Sequence, residues 1–307
     1  MLDLRRLQAL VAVARTGSVS SAADELHYGQ PTISHHLQRL EAETGTVLLQ
    51  RVGRGVRLTA EGEALATRAQ EILALAQRAE DELQAAAGLR SGRVRLGTFP
   101  SAAATLVPAM LTRLRTGAPG VAVELVEAEP PDAIAMLRAG AIDVAVTFTY
   151  ADDEPSPQLT STTLADDHLY LVEPTGTPSR RADRALRAHR ETRWVAGCQR
   201  CRAQLVDLCG AAGFEPDISF ATDDYIAVQA LVAEGDLVSI LPGLALAAHR
   251  HPGVRVTRLA ATRRVQVVTY GAPPRPRAVD VAVTALQTTA AEVARTVALS
   301  SGAVQQV

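Results

Sequence analysis

The stretch SVSSAADELHYGQPTISHHLQRLE, residues 18–41, decides how the N-terminal part of this chain folds. It predicts two short helices, the first over Ser20–Leu26 and the second beginning at Pro31, which the first turn of a helix tolerates. The residues between them, Tyr28-Gly29-Gln30, predict a turn in which Gly29 supplies the positive φ of a tight reversal. Two helices this close together predict a helix-turn-helix unit.

The second helix separates an inward face from an outward, polar face. Ile33, Leu37 and Leu40 recur at helical spacing and predict the buried side, and a preceding helix over Leu4–Arg15 has an apolar face of its own. The remaining side chains are hydrogen-bonding or basic, which suits the edges of bases in a major groove. With Ser20 they form the predicted DNA-reading set: Gln30, Pro31, Thr32, Ser34, His35, His36, Gln38 and Arg39.

A short β-hairpin is predicted directly after these helices, over Leu48–Thr59. Its tip is Gly53-Arg54-Gly55, so that Arg54 can enter a minor groove while Arg51 and Arg57 meet phosphates. Residues 1–58 carry seven Arg against five Asp or Glu, a formal charge of +2 within a chain of net charge −2. Positive charge is therefore concentrated where nucleic-acid binding needs it.

A long helix is predicted over residues 59–88, beginning at Thr59 and ending at Gly88. Its small and apolar residues recur in a narrow, heptad-like pattern. The pattern comprises Leu65, Ala69, Ile72, Ala76, Ala79, Leu83 and Ala86. Two interpretations remain, a helix that packs within its own chain and a helix that pairs two subunits, and the narrow pattern favours the second.

Residues 92–300 alternate between strand and helix patterns, which predicts an α/β domain with a mostly parallel sheet. Strands are expected at Arg93–Gly97, Val121–Val126 and Ile142–Phe148, and later at His168–Val172 and Arg264–Tyr270. The order predicts two α/β lobes in tandem, with the chain crossing between them twice, that form a ligand clamp. The fold class is therefore α/β with an N-terminal winged helix-turn-helix, a linker helix and a two-lobed domain.

These features together resemble the LysR-type transcriptional regulators over essentially the full length of the chain. The matching segments are AADELHYGQPTISHHLQRLE, LLQR with GRGVRLTAEG, the heptad helix, GRVRLGTFPS and AGFEPDISFATDDYIAVQALVAEGDLVSILPG. The family often has Ser-Arg where this chain has Ser34-His35, so an operator sequence is not carried over from relatives.

The resemblance implies three parts and a regulatory, non-enzymatic role. They are a DNA-binding domain over 1–58, a linker and dimerisation helix over 59–90, and an effector domain over 91–307 similar to periplasmic binding proteins. Lobe I is expected at about 91–165 and 268–307, and lobe II at about 166–267. The implied partners are promoter DNA, further copies of the chain as a homodimer or homotetramer, a small effector and, for an activator, RNA polymerase.

The resemblance also places the effector between the lobes, among strand ends and helix N-termini. The matching positions are Thr98, Phe99, Pro100, Ser101, Thr147, Phe148, Cys201, Arg202, Thr222, Asp223 and Pro242. Ser101 has the alternative of capping a helix, as has either Asp223 or Asp224, with Asp224 favoured, and Arg202 has that of a surface charge. Helix N-termini favour anions, so a carboxylate-bearing effector is expected.

The three cysteines form a C-x-x-C at Cys198 and Cys201, with Cys209 eight residues further on. They fit reduced, packed thiols, or a redox switch in which Cys201 gains thiolate character from a helix N-terminus and neighbouring arginines. A zinc site is disfavoured because no further ligands complete a set of four. No cofactor or metal is expected, and a redox-responsive regulator is the alternative function.

A two-lobed enzyme or transport receptor is a different class that the sequence disfavours. The chain contains no G-x-S-x-G, H-E-x-x-H, P-loop or strand-linked G-x-G-x-x-G motif. A receptor needs export, and the N-terminus does not resemble a signal peptide, so a cytoplasmic location is expected. In a regulator residues 1–88 have a role, whereas in an enzyme they would have none.

Overall fold

The structure is a computed structural model that describes most of the chain. The described residues are 2–52, 55–86, 92–150, 158–178 and 182–302. They belong to two compact units, Met1–Leu89 with Ala135–Ile142 and Arg90–Ile134 with Asp143–Val307. Among the described residues, no helix has the length and apolar character needed to cross a membrane.

The first unit begins with three helices, α1 (Leu4–Thr16), α2 (Val19–Glu25) and α3 (Gln30–Thr44). The Asp3 carboxylate accepts hydrogen bonds from the first backbone N–H groups of α1, and the Ser18 hydroxyl does the same for α2. These caps fix where both helices begin, because they satisfy N–H groups that have no partner within the helix.

The inward residues predicted for α3 are confirmed, whereas the predicted conformation of the turn before it is wrong. Ile33, Leu37 and Leu40 are buried in one core with residues of α1 and α2. Gly29 has φ −71°, and the left-handed residue is His27, with φ 57°. The reversal is made at the end of α2, where the backbone N–H of Tyr28 bonds to the carbonyl of Ala23.

The predicted hairpin is present as β1 (Leu49–Val52) paired antiparallel with β2 (Gly55–Leu58), and its tip, including Arg54, lies outside the described residues. The long helix α4 (Ala60–Ala86) follows directly. Thr59 caps it, because its hydroxyl accepts a hydrogen bond from the Gly62 N–H at 3.0 Å. A Cβ at Gly62 would lie 2.1 Å from the carbonyl oxygen of Leu48, so glycine lets the hairpin pack closely on α4.

The residues of the predicted heptad pattern on α4 are packed in a core near the start of the helix and exposed further along it. Leu65 and Ala69 pack in the core of the first unit. Ile72, Ala79 and Leu83 are exposed to solvent in the single chain, and the side chain of Ala86 lies outside the described part.

The second unit is built on one eight-stranded sheet of order β4-β3-β5-β10-β6-β9-β7-β8. Its strands are β3 (Gly92–Thr98), β4 (Val121–Glu127), β5 (Val144–Thr149), β6 (Leu159–Pro174), β7 (Arg193–Ala196), β8 (Asp217–Ala221), β9 (Leu237–Pro242) and β10 (Val254–Tyr270). Parallel pairs lie at both ends of the sheet, β4-β3-β5 and β9-β7-β8.

The two predicted lobes share this one sheet. The strands predicted at His168–Val172 and Arg264–Tyr270 are the inner parts of β6 and β10, which pair antiparallel over most of their length. These two strands connect the halves of the domain, as the two predicted crossings require, and both are longer than the segments predicted for them.

Helices pack against strands of the sheet: α5 (Pro100–Gly117), α7 (Ala182–Ala185), α8 (Gln199–Ala211), α9 (Tyr225–Ala233), α10 (Gly243–Ala248) and α11 (Arg277–Gly302). Between β4 and β5 the chain also forms α6 (Pro130–Arg138). Phe99, Met110, Phe148 and Leu286 belong to one core, and Trp194 belongs to a second core under α8. The sequence pattern did not predict α11, which packs against α5.

Candidate functional site

The polar side chains predicted to read DNA lie together on the outer side of α2 and α3. Ser34 and His36 are half-buried. The exposed members are Ser20, Gln30, Pro31, Thr32, His35, Gln38 and Arg39. We call the α3 members of this set, with Ser34 and His36, the α3 surface.

The N-terminus of α3 is open to an anion. Gly29 is its N-cap and has no side chain that could bond to the first turn, and no acidic residue lies in that turn. The partial positive charge of the helix N-terminus therefore meets no carboxylate of its own helix. The ring of His36 contacts the ring of Tyr28 edge-on at 6.1 Å, which leaves His35 as the more exposed of the two imidazoles.

The hairpin adds basic groups to the same unit. Arg51 and Arg57 are exposed on neighbouring strands, where Arg51 pairs with Val56 and Arg57 with Gln50. The backbone N–H of Val56 bonds to the Gly17 carbonyl at 3.3 Å, which attaches the hairpin to the end of α1. Arg54 stays a prediction, since it lies outside the described residues.

The second unit contains a cleft lined by strand ends and helix N-termini, with about 460 Å³ of empty space that includes space open to solvent. Eight of the residues expected at the effector line it: Phe99, Pro100, Ser101, Phe148, Cys201, Thr222, Asp223 and Pro242.

Three expected residues do not line the cleft. The side chains of Thr98 and Thr147 are buried in the sheet, and within the described part of the chain their hydroxyls have no hydrogen-bond partner. Arg202 is exposed on the outer side of α8, so it is a surface charge. Strand and helix periodicity explain these outcomes, because adjacent residues face different ways.

The structure shows which of Ser101 and Asp224 caps a helix. The N-cap of α5 is Phe99, so Ser101 does not cap that helix, and its hydroxyl instead accepts a hydrogen bond from Arg263 at 2.9 Å. Asp224 does cap α9, since its carboxylate accepts bonds from the N–H groups of Ile226 and Ala227.

Arg263 is the central charged group of the cleft, although the sequence analysis did not single it out. The residue is 2% exposed, and its guanidinium donates to the Asp167 carboxylate at 3.0 Å and lies 4.8 and 4.4 Å from the ring centroids of Phe99 and Phe148. Burial alone would lower the pKa of Arg263, but the charges of Asp167 and Cys201 raise it above its ordinary value, so the group stays cationic.

Cys198 and Cys201 meet in the cleft wall at the N-terminus of α8. Cys198 is the N-cap of this helix, which begins at Gln199, so that Cys201 lies within the first turn. The Cys198 thiol donates to the Cys201 sulfur at a distance of 3.1 Å, and the Tyr150 hydroxyl donates to the same sulfur at 3.9 Å. The hydrogen bond from Cys198 and the charge of Arg263 lower the pKa of Cys201.

Glu129 is a second cleft residue that the sequence analysis missed. Burial and the neighbouring Cys198 raise the pKa of its carboxyl to about 8, so the group is mostly neutral at pH 7. Cys209 lies apart, fully buried in the core around Trp194, where burial raises the pKa of its thiol to about 12. Among the described residues, no cluster of His, Cys, Asp and Glu fits a metal ion.

Comparison with known proteins identifies both parts of the chain. Residues 4–63 match the model of the bacterial regulatory helix-turn-helix protein, lysR family, and residues 87–291 match the LysR substrate binding domain. The HTH-type transcriptional regulator TcbR of Pseudomonas sp. (strain P51) is 32% identical over 269 residues, covering 85% of this chain and 90% of that protein. TfdS of Cupriavidus pinatubonensis is 31% identical over 276 residues, covering 88% and 92%.

Solved structures agree. The LysR family regulator CbnR is 27% identical, with a TM-score of 0.66 over 94% of this chain and 99% of that one. Full-length CbnR complexed with its target DNA has a TM-score of 0.64 at 27% identity, over 94% and 100%. A full-length OxyR variant from Pseudomonas aeruginosa, at 23% identity and a TM-score of 0.70 over 94% and 95%, supports the fold alone.

Proposed function

The chain belongs to the LysR family of transcriptional regulators, and on that premise we propose that the α3 surface and the hairpin read its promoter while the cleft binds its effector. The observation that carries the DNA-reading part is the α3 surface itself. It combines exposed donors and acceptors with a helix N-terminus free of acidic residues in its first turn. Such a protein acts in the cytoplasm, where promoter DNA is located.

The proposed assembly is a homodimer paired through α4, with a homotetramer as the larger form. Ile72, Leu75, Ala79 and Leu83 are exposed at spacings of three and four residues, which places them along one side of the helix. A dimer with two-fold symmetry then presents two α3 surfaces to two half-sites about one helical turn of DNA apart. If the protein is an activator, the remaining partner is RNA polymerase.

The proposed effector is a small molecule that carries a carboxylate. The Arg263 cation and the N-terminal turn of α5 both face the cleft and favour a negative group. The Phe99 and Phe148 rings and Val228 supply apolar contact for the rest of the molecule. Binding would change the relative population of two conformations that differ in DNA affinity.

The test is a DNase footprint of the full-length protein on the DNA upstream of its own gene, at fixed salt. A protected region with dyad symmetry is expected. The double variant His35→Ala/Gln38→Ala should lose at least about tenfold in affinity, because each lost base contact costs about 1–3 kcal/mol. The matched control Gln158→Ala removes an exposed glutamine of the second unit, and this variant should protect the same DNA region as the wild type.

The same footprint distinguishes effector classes. Carboxylates that change the protection pattern, while their neutral amides do not, would support the proposed effector. Amides that act equally well would overturn it. An α3 double variant that binds as tightly as the wild type would overturn the assignment of the α3 surface.

A further inference from the structure

We propose that Cys198 and Cys201 form a redox-active dithiol in the cleft wall, which a hydroperoxide oxidises to an intramolecular disulfide. The consequence for DNA binding rests on the proposed function, whereas the chemistry of the site does not.

The geometry of the two sulfurs favours this reaction. Their separation of 3.1 Å must shrink by only about 1 Å to reach the length of a disulfide bond. Both residues belong to the first turn of α8, so side-chain rotation can bring the sulfurs together with little movement of the backbone. Gly197 leaves space beside them, since a Cβ there would lie 3.2 Å from the Cβ of Cys201.

The surroundings assign different roles to the two thiols. Cys201 accepts hydrogen bonds from Cys198 and Tyr150 and lies near the Arg263 cation, all of which stabilise a thiolate. Cys198 donates to that thiolate, and this hydrogen bond is the main reason why its own pKa is raised. Cys201 is therefore the nucleophile, and Cys198 is the thiol that resolves the intermediate.

The reaction needs only the two cysteines, the hydroperoxide and a proton. The Cys201 thiolate attacks one peroxide oxygen and breaks the O–O bond, giving Cys201 sulfenic acid and an alkoxide or hydroxide, which takes up a proton. The Cys198 sulfur then attacks the Cys201 sulfur, forming the S–S bond and releasing water. The dithiol loses two electrons, and the hydroperoxide is reduced to an alcohol, or to water when it is hydrogen peroxide, with a second water released.

Oxidation changes the charge of the cleft as well as its covalent structure. In the reduced form the thiolate character of Cys201 and the Asp167 carboxylate both compensate the buried Arg263 cation. The disulfide removes the contribution of Cys201, so the cleft becomes more positive. We expect an anionic effector to bind more tightly to the oxidised protein than to the reduced protein.

Cys209 provides an internal control. Its thiol is 0% exposed and packs with Leu205 and Trp194 in a core separate from the cleft. Burial without a compensating charge raises its pKa, so it lacks the thiolate that attacks a peroxide. Cys209→Ser should leave peroxide reactivity unchanged.

The test treats reduced full-length protein with one equivalent of hydrogen peroxide, then alkylates and digests it. Trypsin cleaves after Arg193, Arg200 and Arg202, so each cysteine falls in a different peptide. Mass spectrometry should find peptide 194–200 linked to the dipeptide 201–202, with Cys209 alkylated. Cys198→Ser should accumulate a sulfenic acid at Cys201 that dimedone traps. Cys201→Ser should consume peroxide at least about tenfold more slowly, because its serine hydroxyl stays protonated.

A disulfide that includes Cys209, or a Cys201→Ser protein that reacts as fast as the wild type, would overturn the proposal. Unchanged, fully alkylated cysteines after peroxide treatment would do the same. This readout needs neither DNA nor effector. A linked 198–201 pair in a protein that gives no footprint would therefore count against the proposed function alone, and a footprint without the disulfide would count against this inference alone.

Discussion

At the scale of single residues, the cleft contains one carboxyl group whose protonation depends on folding. Burial, with help from Cys198, raises the pKa of Glu129 to about 8 from 4.5. A group whose pKa is raised in the folded state contributes its stability fully below the unfolded pKa. That contribution is lost as pH rises toward 8, because folding then opposes ionisation.

Glu129→Gln should remove this pH dependence. Between pH 5 and pH 9 the free energy of unfolding of the wild type should fall by about 1 kcal/mol more than that of the variant. This is well below the value that the full pKa shift would give, because the group is only partly buried. Melting temperatures across that range should show the difference as about 2–4 °C. Glu127→Gln, an exposed carboxylate two residues away, is the control. Parallel melting curves for the wild type and Glu129→Gln would contradict the prediction.

At the scale of secondary-structure elements, local patterns predicted most of the helices and strands but not every residue that terminates them. The apolar spacing of α3 is sufficient for its buried face, because helical periodicity alone determines which residues point inward. The left-handed residue that ends α2 is His27, where glycine is usual, and the N-cap of α5 is Phe99, which has no side chain that can cap a helix.

The cleft residues likewise divide into those that the sequence predicted and those that it did not. The resemblance to the LysR family, which places the effector among strand ends and helix N-termini, predicted eight of its lining residues. Arg263 was missed, yet it lies in phase with the buried Val265 and Val267 on β10. An arginine in phase with buried valines is a usable signal. Glu129 has no comparable pattern in the sequence, because it lies in the short connection between β4 and α6, where neither strand nor helix periodicity applies.

The exposed apolar side of α4 leads to a prediction about assembly. Leu75 and Leu83 are 63% and 72% exposed in the single chain, and burying one such leucine contributes about 1.5–3 kcal/mol. In a symmetric dimer each substitution acts twice, so Leu75→Glu or Leu83→Glu should weaken pairing by at least about a hundredfold. Light scattering should show the mass of the assembly falling by half or more.

The control for α4 is Glu80→Ala, which alters an exposed residue away from the apolar side of the helix. Its mass should equal that of the wild type. If both leucine variants keep the wild-type mass at dilute concentration, α4 does not pair the subunits, and the exposed leucines need another explanation.

At the scale of the whole molecule, charge is distributed so that a weakly acidic protein can approach DNA with a basic part. The chain carries −2 overall, whereas residues 1–58 carry +2. Such a separation orients the molecule as it approaches a polyanion, and it confines the salt-sensitive contacts to the N-terminal unit. Salt dependence therefore tests which arginines meet phosphate.

Arg51→Ala and Arg57→Ala should each weaken binding to specific and scrambled DNA alike, because phosphate contacts carry no sequence information. The slope of log affinity against log salt should fall in magnitude by about 1 for each arginine removed. Arg184→Ala, which removes an exposed arginine from the second unit, should leave both affinity and slope unchanged. A slope that responds to Arg184 but not to Arg51 or Arg57 would mean that DNA contacts the second unit, and that the hairpin is not the part that follows the phosphate backbone.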